Sequence, residues 1–127
     1  MPKANFSVVV FNEHLGDDAG AFTPAFTFVG NQTSEKNFNV PGVPTDDGYL
    51  IIQVFDVQNQ GHRIQINGRD LPNVDIVRTR ENEWQDVMDT FPAGVLRQGN
   101  NRIRILRASG GDDIIVGAAV IHWKEQD

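Results

Sequence analysis

The segment that decides the fold is Gly94-Val95-Leu96-Arg97-Gln98-Gly99-Asn100-Asn101-Arg102-Ile103-Arg104-Ile105-Leu106. Glycine and asparagine tolerate a left-handed backbone, so residues 99–101 can reverse the chain at little steric cost. In the residues that follow, Ile103 and Ile105 point to one face of a strand, and the intervening arginines point to the other. This period of two predicts a β-strand in a sheet with one buried and one solvated face.

Short apolar or alternating segments recur on both sides of this strand, separated by turns about every ten residues. The other predicted strands are residues 6–11, 21–29, 37–40, 49–57, 62–68 including its terminal turn, 74–80, 81–90 and 114–123. Residues 12–20 and 41–48 are punctuated by glycine, proline and acidic residues, and are predicted loops. For residues 81–90, whose spacing also fits one or two helical turns, we favour a strand. This series of short strands predicts an all-β fold, an antiparallel two-sheet β-sandwich.

Three local features refine this prediction. Asn67-Gly68 is the strongest hairpin signal, because both central residues of a type I′ turn need positive φ. Pro24 has no N–H to donate, so its strand is predicted to lie at a sheet edge or to carry a bulge. Strict alternation in the last strand places one set of residues on a common face, namely Ile115, Gly117, Ala119, Ile121 and Trp123.

Length and composition limit the classes of protein. A chain of 127 residues with 39% hydrophobic and 22% charged residues suits one globular domain over residues 1–127. The absence of cysteine excludes disulfides and thiolate metal sites. No apolar run approaches the ~20 residues of a membrane span. The N-terminus lacks the features of a signal peptide, so the cytoplasm is the default expectation.

The charge distribution argues against nucleic acid as a partner. The net charge is −6, although all eight arginines lie within residues 63–107 and give that segment a net positive charge. A protein that binds nucleic acid normally shows a basic excess over the domain. We therefore expect neither a nucleic acid nor a membrane partner.

One family pattern is visible in the second half of the chain. Ile64-Gln65-Ile66-Asn67-Gly68, then Leu71-Pro72, Trp84, Leu96 and Gly99-Asn100-Asn101-Arg102-Ile103-Arg104-Ile105 together resemble the jelly-roll of galactose-binding-like domains. Such domains occur as carbohydrate-binding modules and as non-catalytic sandwich domains of glycoside hydrolases. The resemblance covers about residues 49–123. It implies a jelly-roll and a non-catalytic, lectin-like module whose partner is carbohydrate, but no sugar-contacting set of the family matches here.

Aromatic residues are the first candidates for a ligand site. A pyranose has an apolar face and a rim of hydroxyls, so it is held by an aromatic ring with polar side chains beside it. Trp84 lies among Glu83, Gln85 and Asp86, and Tyr49 is a second candidate platform. Packing in the core or against a hairpin is the alternative for Trp84. Trp123, which ends an apolar strand, is expected in the core.

The arginines form a second candidate site. Arg63, Arg78, Arg102 and Arg104 recur at alternate positions, as do Arg80 and Arg107. On one sheet face they would bind an anionic glycan, another carboxylate-bearing ligand or an acidic protein surface. The alternative is cross-strand pairing with Gln65, Asp75 or Glu81.

Three acidic pairs lie in predicted loops with glycine nearby. They are Asp17-Asp18, Asp46-Asp47 and Asp112-Asp113. Calcium takes six to eight oxygen ligands, which sandwich loops can supply, so these residues are candidate ligands for a structural calcium. Simple solvated turns are the alternative, and we expect no other cofactor.

No catalytic motif is present in the sequence. His14, His62 and His122 lie in no zinc-binding spacing, and no serine sits in a Gly-x-Ser-x-Gly segment. We therefore expect that the chain is not an enzyme. The alternative to a carbohydrate-binding module is a structural or assembly protein that forms homo-oligomers or docks into a larger complex.

Overall fold

The structure, a computed structural model, describes residues 2–22, 26–72, 76–108 and 112–126. The strands are β1 (Lys3–Leu15), β2 (Thr27–Gly30), β3 (Lys36–Val40), β4 (Pro44–Phe55), β5 (Arg63–Ile66), β6 (Arg69–Asp70), β7 (Trp84–Phe91), β8 (Gly99–Leu106) and β9 (Ile114–Glu125). One sheet has the order β2-β1-β9-β4-β7 and the other the order β3-β8-β5-β6. Neighbouring strands are antiparallel except β1 and β2, which run parallel. The predicted all-β two-sheet sandwich is confirmed.

The core lies between the two sheets. Ile103 and Ile105 of β8 are fully buried, as are Leu50 and Ile52 of β4 in the other sheet. Each such side chain contributes about 1.5–3 kcal/mol through removal of its apolar surface from water. No helix occurs in the described segments, and so none of them contains a helix able to cross a membrane.

Residues 94–106 form the predicted corner and strand. Gly99 has φ 97°, and the side chain of Asn101 is fully buried. The Asn101 side chain accepts a hydrogen bond from the Arg97 N–H (3.0 Å) and donates to the carbonyls of Arg97 (2.8 Å) and Gly99 (3.1 Å). It also accepts from the amide of Asn67 (2.8 Å), which joins the corner to the hairpin beside it. One asparagine side chain thus bonds to four polar groups, of which the Asn67 amide also donates to the Val95 carbonyl (3.1 Å).

The predicted Asn67-Gly68 hairpin is confirmed, and it joins β5 to β6. The two residues have φ 55° and 77°, as a type I′ turn requires. The return strand is the short β6, whereas residues 76–80, which were predicted to continue a strand, lie outside the strands. Residues 73–75 of that prediction fall outside the described residues.

Several predicted strand ends were wrong. β1 continues to Leu15 through the predicted loop, because Asn12 adopts φ 50° and absorbs an irregularity without ending the pairing. β4 begins at Pro44, inside the second predicted loop, and Asp46 at φ 58° accompanies a register shift there. β2 covers only the end of its predicted range and lies at a sheet edge, as expected, although Pro24 falls outside the described residues.

The alternation predicted for β9 was also wrong. Ala119 and Ile121 face the core, but so do Val116 and Ile114, so the alternation reverses near Gly117. The register shows why: Ile52 pairs with Ala119 and Val54 with Val116, which leaves Gly117 and Ala118 opposite a single residue of β4. A bulge of this kind turns the following side chains to the other face.

A buried carboxylate ties the chain ends together. Glu125 is 1% exposed and accepts hydrogen bonds from Trp123 Nε1 (2.9 Å), Asn5 Nδ2 (3.2 Å) and the Gly42 N–H (3.2 Å). The bond from Trp123 has the largest influence on its pKa; with the other two bonds and the charge of Lys3, it outweighs burial and lowers the pKa of Glu125. Because the folded-state pKa is lowered, the stabilisation is present above the unfolded-state pKa and is lost as the pH falls through the folded-state pKa.

Replacing Glu125 with glutamine is expected to lower the free energy of unfolding at pH 7 by about 2 kcal/mol, since hydrogen bonds to a charged acceptor are lost and an NH2 group must face donors. Urea unfolding of wild type and variant across pH 2–7 measures this difference in the free energy of unfolding. The difference from wild type should shrink as the pH falls below about 4.5, the ordinary value for glutamate. Glu35→Gln, which removes an exposed ion pair with Arg102, is the control; equal losses in both variants contradict the account.

Candidate functional site

A double irregularity around Gly117 shapes the outer face of the five-stranded sheet. On the β4 side, Gln53 stands opposite both Gly117 and Ala118. On the β1 side, Phe11 and Asn12 stand opposite Gly117, because Val10 pairs with Ala118 and Glu13 with Val116. Bulges re-aim side chains and are common beside binding sites. Gly117, which has no side chain, therefore lies at the floor of a depression between two re-aimed polar residues, Asn12 and Gln53.

Trp84 forms one wall of this depression. It begins the edge strand β7, pairs with Phe55 of β4, and is 47% exposed. Its ring reaches over β4 toward β9, because a Cβ atom built on Gly117 would lie 3.2 Å from its Cζ3 atom. A glycine at this position is needed for the indole to lie so close to the sheet.

Other aromatic rings hold the indole in place. The Trp84 ring centroid is 5.4 Å from that of Phe55 and 5.9 Å from that of Phe26, both tilted by about 50°. Phe22 packs edge-on against Phe55 at 5.5 Å. Aromatic pairs at these distances are favourable beyond the area they bury. The indole is thus a half-exposed platform supported from one side.

Trp84 and Phe26 line two adjoining cavities of different polarity. The first has a volume of about 620 Å³ and is also lined by Asn12, Gln53, Gln85, Asp86 and Gly117. The second, of about 430 Å³, is mainly apolar and is also lined by Ala21, Phe22, Phe55, Asn82 and Ile115. Both volumes fall within the range of small-molecule sites. The reversal at Gly117 explains why Ile115 faces this outer surface rather than the core.

The polar residues of the first cavity present hydrogen-bond donors and acceptors. Gln53 accepts from the Ala118 N–H through Oε1 (3.3 Å), and Gln85 accepts from the Arg80 N–H through Oε1 (2.8 Å). Since a backbone N–H can bond only to the amide oxygen, the NH2 group of each glutamine is left to donate. Asp86 adds a carboxylate acceptor. The arrangement can hold a ligand with an apolar face and several hydroxyls, and we call it the Trp84 groove.

The other candidate aromatic residues lie elsewhere. Tyr49 is 39% exposed on the same sheet face and stacks on His122, with ring centroids 4.5 Å apart and planes at 12°. It lines a separate, smaller depression of about 190 Å³. Tyr49 lies six positions before Phe55 on β4, which is about 20 Å along a strand, so it does not belong to the Trp84 groove. Trp123 is 4% exposed and belongs to the core, as predicted.

The structure places three of the candidate arginines on the other sheet. Arg63 bonds to Asp70 (3.0 Å), Arg104 to the Gln65 oxygen (2.9 Å), and Arg102 lies 3.6 Å from Glu35. The hydrogen bond from Gln65, together with the bond and charge of Arg63, lowers the pKa of Asp70. Arg78 lies outside the strands, and Arg107 bonds to Asp17 and Asn31.

These arginines make cross-strand and loop pairs, and cross-strand pairing was the alternative to ligand binding. The partners are not quite those expected, because Asp70 and Glu35 take the places anticipated for Asp75 and Glu81; Asp75 lies outside the described residues. Arg63, Arg102 and Arg104 lie on the sheet opposite the Trp84 groove, whereas the N–H of Arg80 bonds to Gln85, a groove residue. That the arginines contact a ligand stays a prediction, and for the three on strands it concerns a different surface from the Trp84 groove.

Two of the three acidic pairs meet at one end of the sandwich. The Asp18 N–H donates to Asp113 (3.2 Å), whereas Asp46-Asp47 lies at the opposite end, where Asp47 accepts from the Ala93 N–H (3.1 Å). Asp113 and Asp112 each accept from a buried histidine at 2.8 Å, His14 and His62 respectively. No group of three or more metal-binding side chains converges within the described segments. A structural calcium stays a prediction.

The histidine–aspartate pairs were not anticipated from the sequence. His62 accepts from the Ala108 N–H through Nδ1 (2.9 Å), so its Nε2 carries the proton that it donates to Asp112. His14 is 2% exposed, and the edges of the Phe22 and Phe28 rings lie against it at 4.7 and 4.9 Å. These two hydrogen bonds link the β8–β9 connection, which contains Asp112 and Asp113, to His14 of β1 and to His62 of the β4–β5 connection.

The chain is a two-sheet β-sandwich, and its fold is similar to that of carbohydrate-binding modules. Residues 3–125 match the sequence profile of DUF7383, a family of unknown function, and the chain belongs to that family. A comparison with curated protein sequences gives no match.

Solved structures with the same fold are only distantly related in sequence. The CBM36-1 domain of a multidomain xylanase from the hindgut metagenome of Trinervitermes trinervoides has a TM-score of 0.58 and 13% identity, covering 92% of this chain and 96% of that domain. An isomalto-dextranase of Arthrobacter globiformis T6, complexed with panose, has a TM-score of 0.54 and 11% identity over 80% of this chain. The match spans 17% of that enzyme's chain. A family 35 carbohydrate-binding module from Clostridium thermocellum has a TM-score of 0.48, 18% identity and coverage of 93% and 97%.

Most of the residues beside Trp84 were missed by sequence reasoning. Asn12 lay in a predicted loop, Gln53 in a predicted central strand, and Phe26 in a strand that the structure shortens. One signal was available. A glycine inside an apolar strand marks a bulge or the close approach of another group. At Gly117 the structure has both, a bulge in the pairing and the indole of Trp84 close to the backbone.

Proposed function

We propose that the chain is a non-catalytic module that binds neutral carbohydrate in the Trp84 groove. The observation that carries the proposal is the half-exposed indole of Trp84 beside two glutamine NH2 groups and a carboxylate, in a cavity of about 620 Å³. A sugar ring stacks its apolar C–H face on an indole, while its hydroxyls exchange hydrogen bonds with amides and carboxylates. The similarity of the fold to carbohydrate-binding modules supports the same ligand class.

The charge of the groove selects among sugars. Among the described residues that line the two cavities, Asp86 is the one with an ionisable side chain. A uronic acid bound there would bring two carboxylates together, which disfavours binding. Arg63, Arg102 and Arg104 lie on the other sheet, and the guanidinium group of Arg80, whose backbone N–H bonds to Gln85, is paired with Glu83 (3.9 Å). Neutral oligosaccharides are therefore the ligands that this groove accepts.

A glycan array tests the proposal. The array should include neutral oligosaccharides, with xylo-oligosaccharides and panose among them because of the matched xylanase and isomalto-dextranase, and uronate-bearing counterparts. We expect binding to a neutral set with calcium and equally with EDTA, and weaker or no binding to the uronates. Preferential binding to uronates, or no binding to any glycan, contradicts the proposal. Binding lost with EDTA assigns the loop aspartates, rather than the groove, to the ligand.

Adding a methyl group at Gly117 should narrow the groove. A Cβ atom there would lie 3.0 Å from Gln53 Oε1 and 3.2 Å from Trp84 Cζ3, so both side chains must shift. We expect Gly117→Ala to weaken binding of the best neutral glycan about 10-fold, or about 1.4 kcal/mol, by isothermal titration calorimetry. Gly20→Ala, whose Cβ would meet its nearest atom at 3.4 Å, is the matched control and should bind as wild type does. Equal affinities for the two variants would place the ligand elsewhere.

A further inference from the structure

The second cavity beside Trp84 differs in chemistry from the Trp84 groove. Its volume is about 430 Å³, and none of the described residues that line it has an ionisable side chain. Apart from Asn82, these residues are aliphatic or aromatic. A sugar hydroxyl buried there would lose its hydrogen bonds to water without replacement, which disfavours binding. This cavity, which we call the aromatic pocket, therefore suits a different part of a ligand.

Four aromatic rings form the walls of the aromatic pocket. Phe22 and Phe55 meet edge to face, with ring centroids 5.5 Å apart and planes at 80°. The Phe55 ring also lies 5.4 Å from that of Trp84, whose other neighbour is Phe26. The three phenylalanines are half-buried, so part of each ring remains open to a ligand. A planar aromatic ring placed among them gains the same tilted and edge-to-face contacts that these rings make with one another.

One wall of the aromatic pocket is supported from behind by a buried histidine. The ring centroids of Phe22 and His14 are 4.7 Å apart, with the planes at 60°. His14 is 2% exposed, and its Nε2 atom lies 2.8 Å from the carboxylate of Asp113. Phe22 therefore rests on an imidazole that is itself fixed by a hydrogen bond. Walls that are positioned before binding reduce the entropy lost when a ligand enters.

Ile115 forms the floor of the aromatic pocket. It pairs with His14 of β1 and with Phe55 of β4, so it lies in the middle of three neighbouring strands. It lies outside the core cluster and faces the outer surface because of the bulge at Gly117, yet it is 3% exposed. The rings around Ile115 thus shield its side chain from water. The bottom of the pocket is as apolar as its walls.

The aromatic pocket adjoins the Trp84 groove. Trp84 and Phe26 line both cavities, so a ligand can place one group on each side of the indole. Asn82 is the polar residue of the pocket. It is exposed, its backbone N–H donates to Asp56 (3.0 Å), and its side-chain amide has no hydrogen-bond partner among the described residues. That amide can donate to a carbonyl or ether oxygen that joins a substituent to a sugar.

We infer that the aromatic pocket binds an aromatic ring attached to the sugar in the Trp84 groove. Since this step rests on the proposed function, the full ligand is a neutral carbohydrate that carries an uncharged aryl group through an ester or ether bond. The lack of ionisable side chains in the described lining favours an uncharged group, because a charge would be desolvated there without a partner. Contacts between rings favour an aryl group over an alkyl group of equal size.

Methyl, cyclohexyl and phenyl glycosides of xylose and of glucose test the inference in calorimetric and NMR titrations. We expect the phenyl glycoside to bind at least ~10-fold more tightly than the methyl glycoside of the same sugar, and ~3-fold more tightly than the cyclohexyl glycoside. In ¹H–¹³C methyl spectra, the ring current of the bound phenyl group should shift the signals of Ile115, whereas the methyl glycoside should leave them in place. Ile121, which is fully buried between the sheets, is the internal control.

Two variants locate the aryl group in the aromatic pocket. Ala21→Trp fills the pocket from its exposed rim, and should remove the advantage of the phenyl over the methyl glycoside. Phe22→Leu removes one ring but keeps an apolar wall, and should remove the preference for phenyl over cyclohexyl. Ala93→Trp makes the first substitution at an exposed position of the β7–β8 connection, away from both cavities, and should keep the wild-type preference.

The failure of this inference is distinguishable from a failure of the proposed function. Phenyl glycosides that bind no more tightly than methyl glycosides, while glycans on the array bind, overturn the inference and leave the proposed function intact. A phenyl advantage that survives both Ala21→Trp and Phe22→Leu also overturns the inference, since the aryl group then binds elsewhere. If neither the glycosides nor any glycan on the array binds, the inference and the proposed function both fail.

Discussion

Replacing Trp84 with alanine is expected to weaken carbohydrate binding by about 2–3 kcal/mol, or roughly 30- to 150-fold in Kd. The indole is the largest apolar surface of the groove and one wall of both cavities, so its removal leaves the sugar without a stacking partner. Titration calorimetry with the best neutral glycan gives the affinity. The variant should stay folded, because Trp84 lies at the start of an edge strand and is half exposed.

Arg63→Ala is the control that separates the two candidate sites proposed from the sequence. Arg63 lies on the opposite sheet, and its ion pair with Asp70 is about half exposed, so its loss costs at most ~1 kcal/mol of stability. Carbohydrate affinity should not change. If Arg63→Ala loses the ligand while Trp84→Ala keeps it, the ligand binds the arginine surface and the groove assignment is wrong.

Replacing Asn101 with alanine is expected to lower the free energy of unfolding by about 3 kcal/mol. Its buried side chain serves the Arg97 N–H, the Asn67 amide and two carbonyl groups, and alanine leaves these groups with fewer partners or none. A buried polar group that loses its partner costs about 1–3 kcal/mol. Thermal unfolding should show a melting temperature lower by about 10 °C for a chain of this size.

The neighbouring Asn100→Ala is a closely matched control. The Asn100 side chain is exposed and donates one hydrogen bond to Asn37 (3.2 Å), so its removal should change stability by less than ~0.5 kcal/mol. The two variants remove the same chemical group at adjacent positions. Similar melting temperatures for both variants would mean that the hydrogen bonds of the buried Asn101 side chain do not stabilise the corner as described.

The sequence carries enough information for the sandwich because most of its strands are encoded locally. Ile103 and Ile105 alternate with arginines, and Asn67-Gly68 needs no long-range contact to form its turn. Such signals depend on backbone preference and on burial of one face, which are properties of the segment itself. Strand ends were predicted less well, since Asn12 and Asp46 adopt positive φ within strands that tertiary pairing continues past them.

The groove was harder to predict because it arises where three strands fall out of register. Trp84 could be proposed from its polar neighbours in sequence, but Asn12 and Gln53 join it only through the bulges around Gly117. A bulge is decided by the pairing of distant segments, and one such shift reverses every later side chain. The same shift turns Ile115, which was predicted to share a face with Ala119 and Ile121, to the opposite face of β9, where it lines the second cavity.

A two-dimensional ¹H–¹⁵N NMR titration of wild type with the best neutral glycan tests the central claim most directly. Two indole N–H signals are expected, one from the half-exposed Trp84 and one from the buried Trp123. Our account predicts that the Trp84 indole signal and the side-chain amide signals of Gln53 and Gln85 shift with saturation, while the Trp123 signal and the backbone signals of β5 and β8 stay in place. Shifts confined to β5 and β8, or none near Gly117 at saturating ligand, would contradict it.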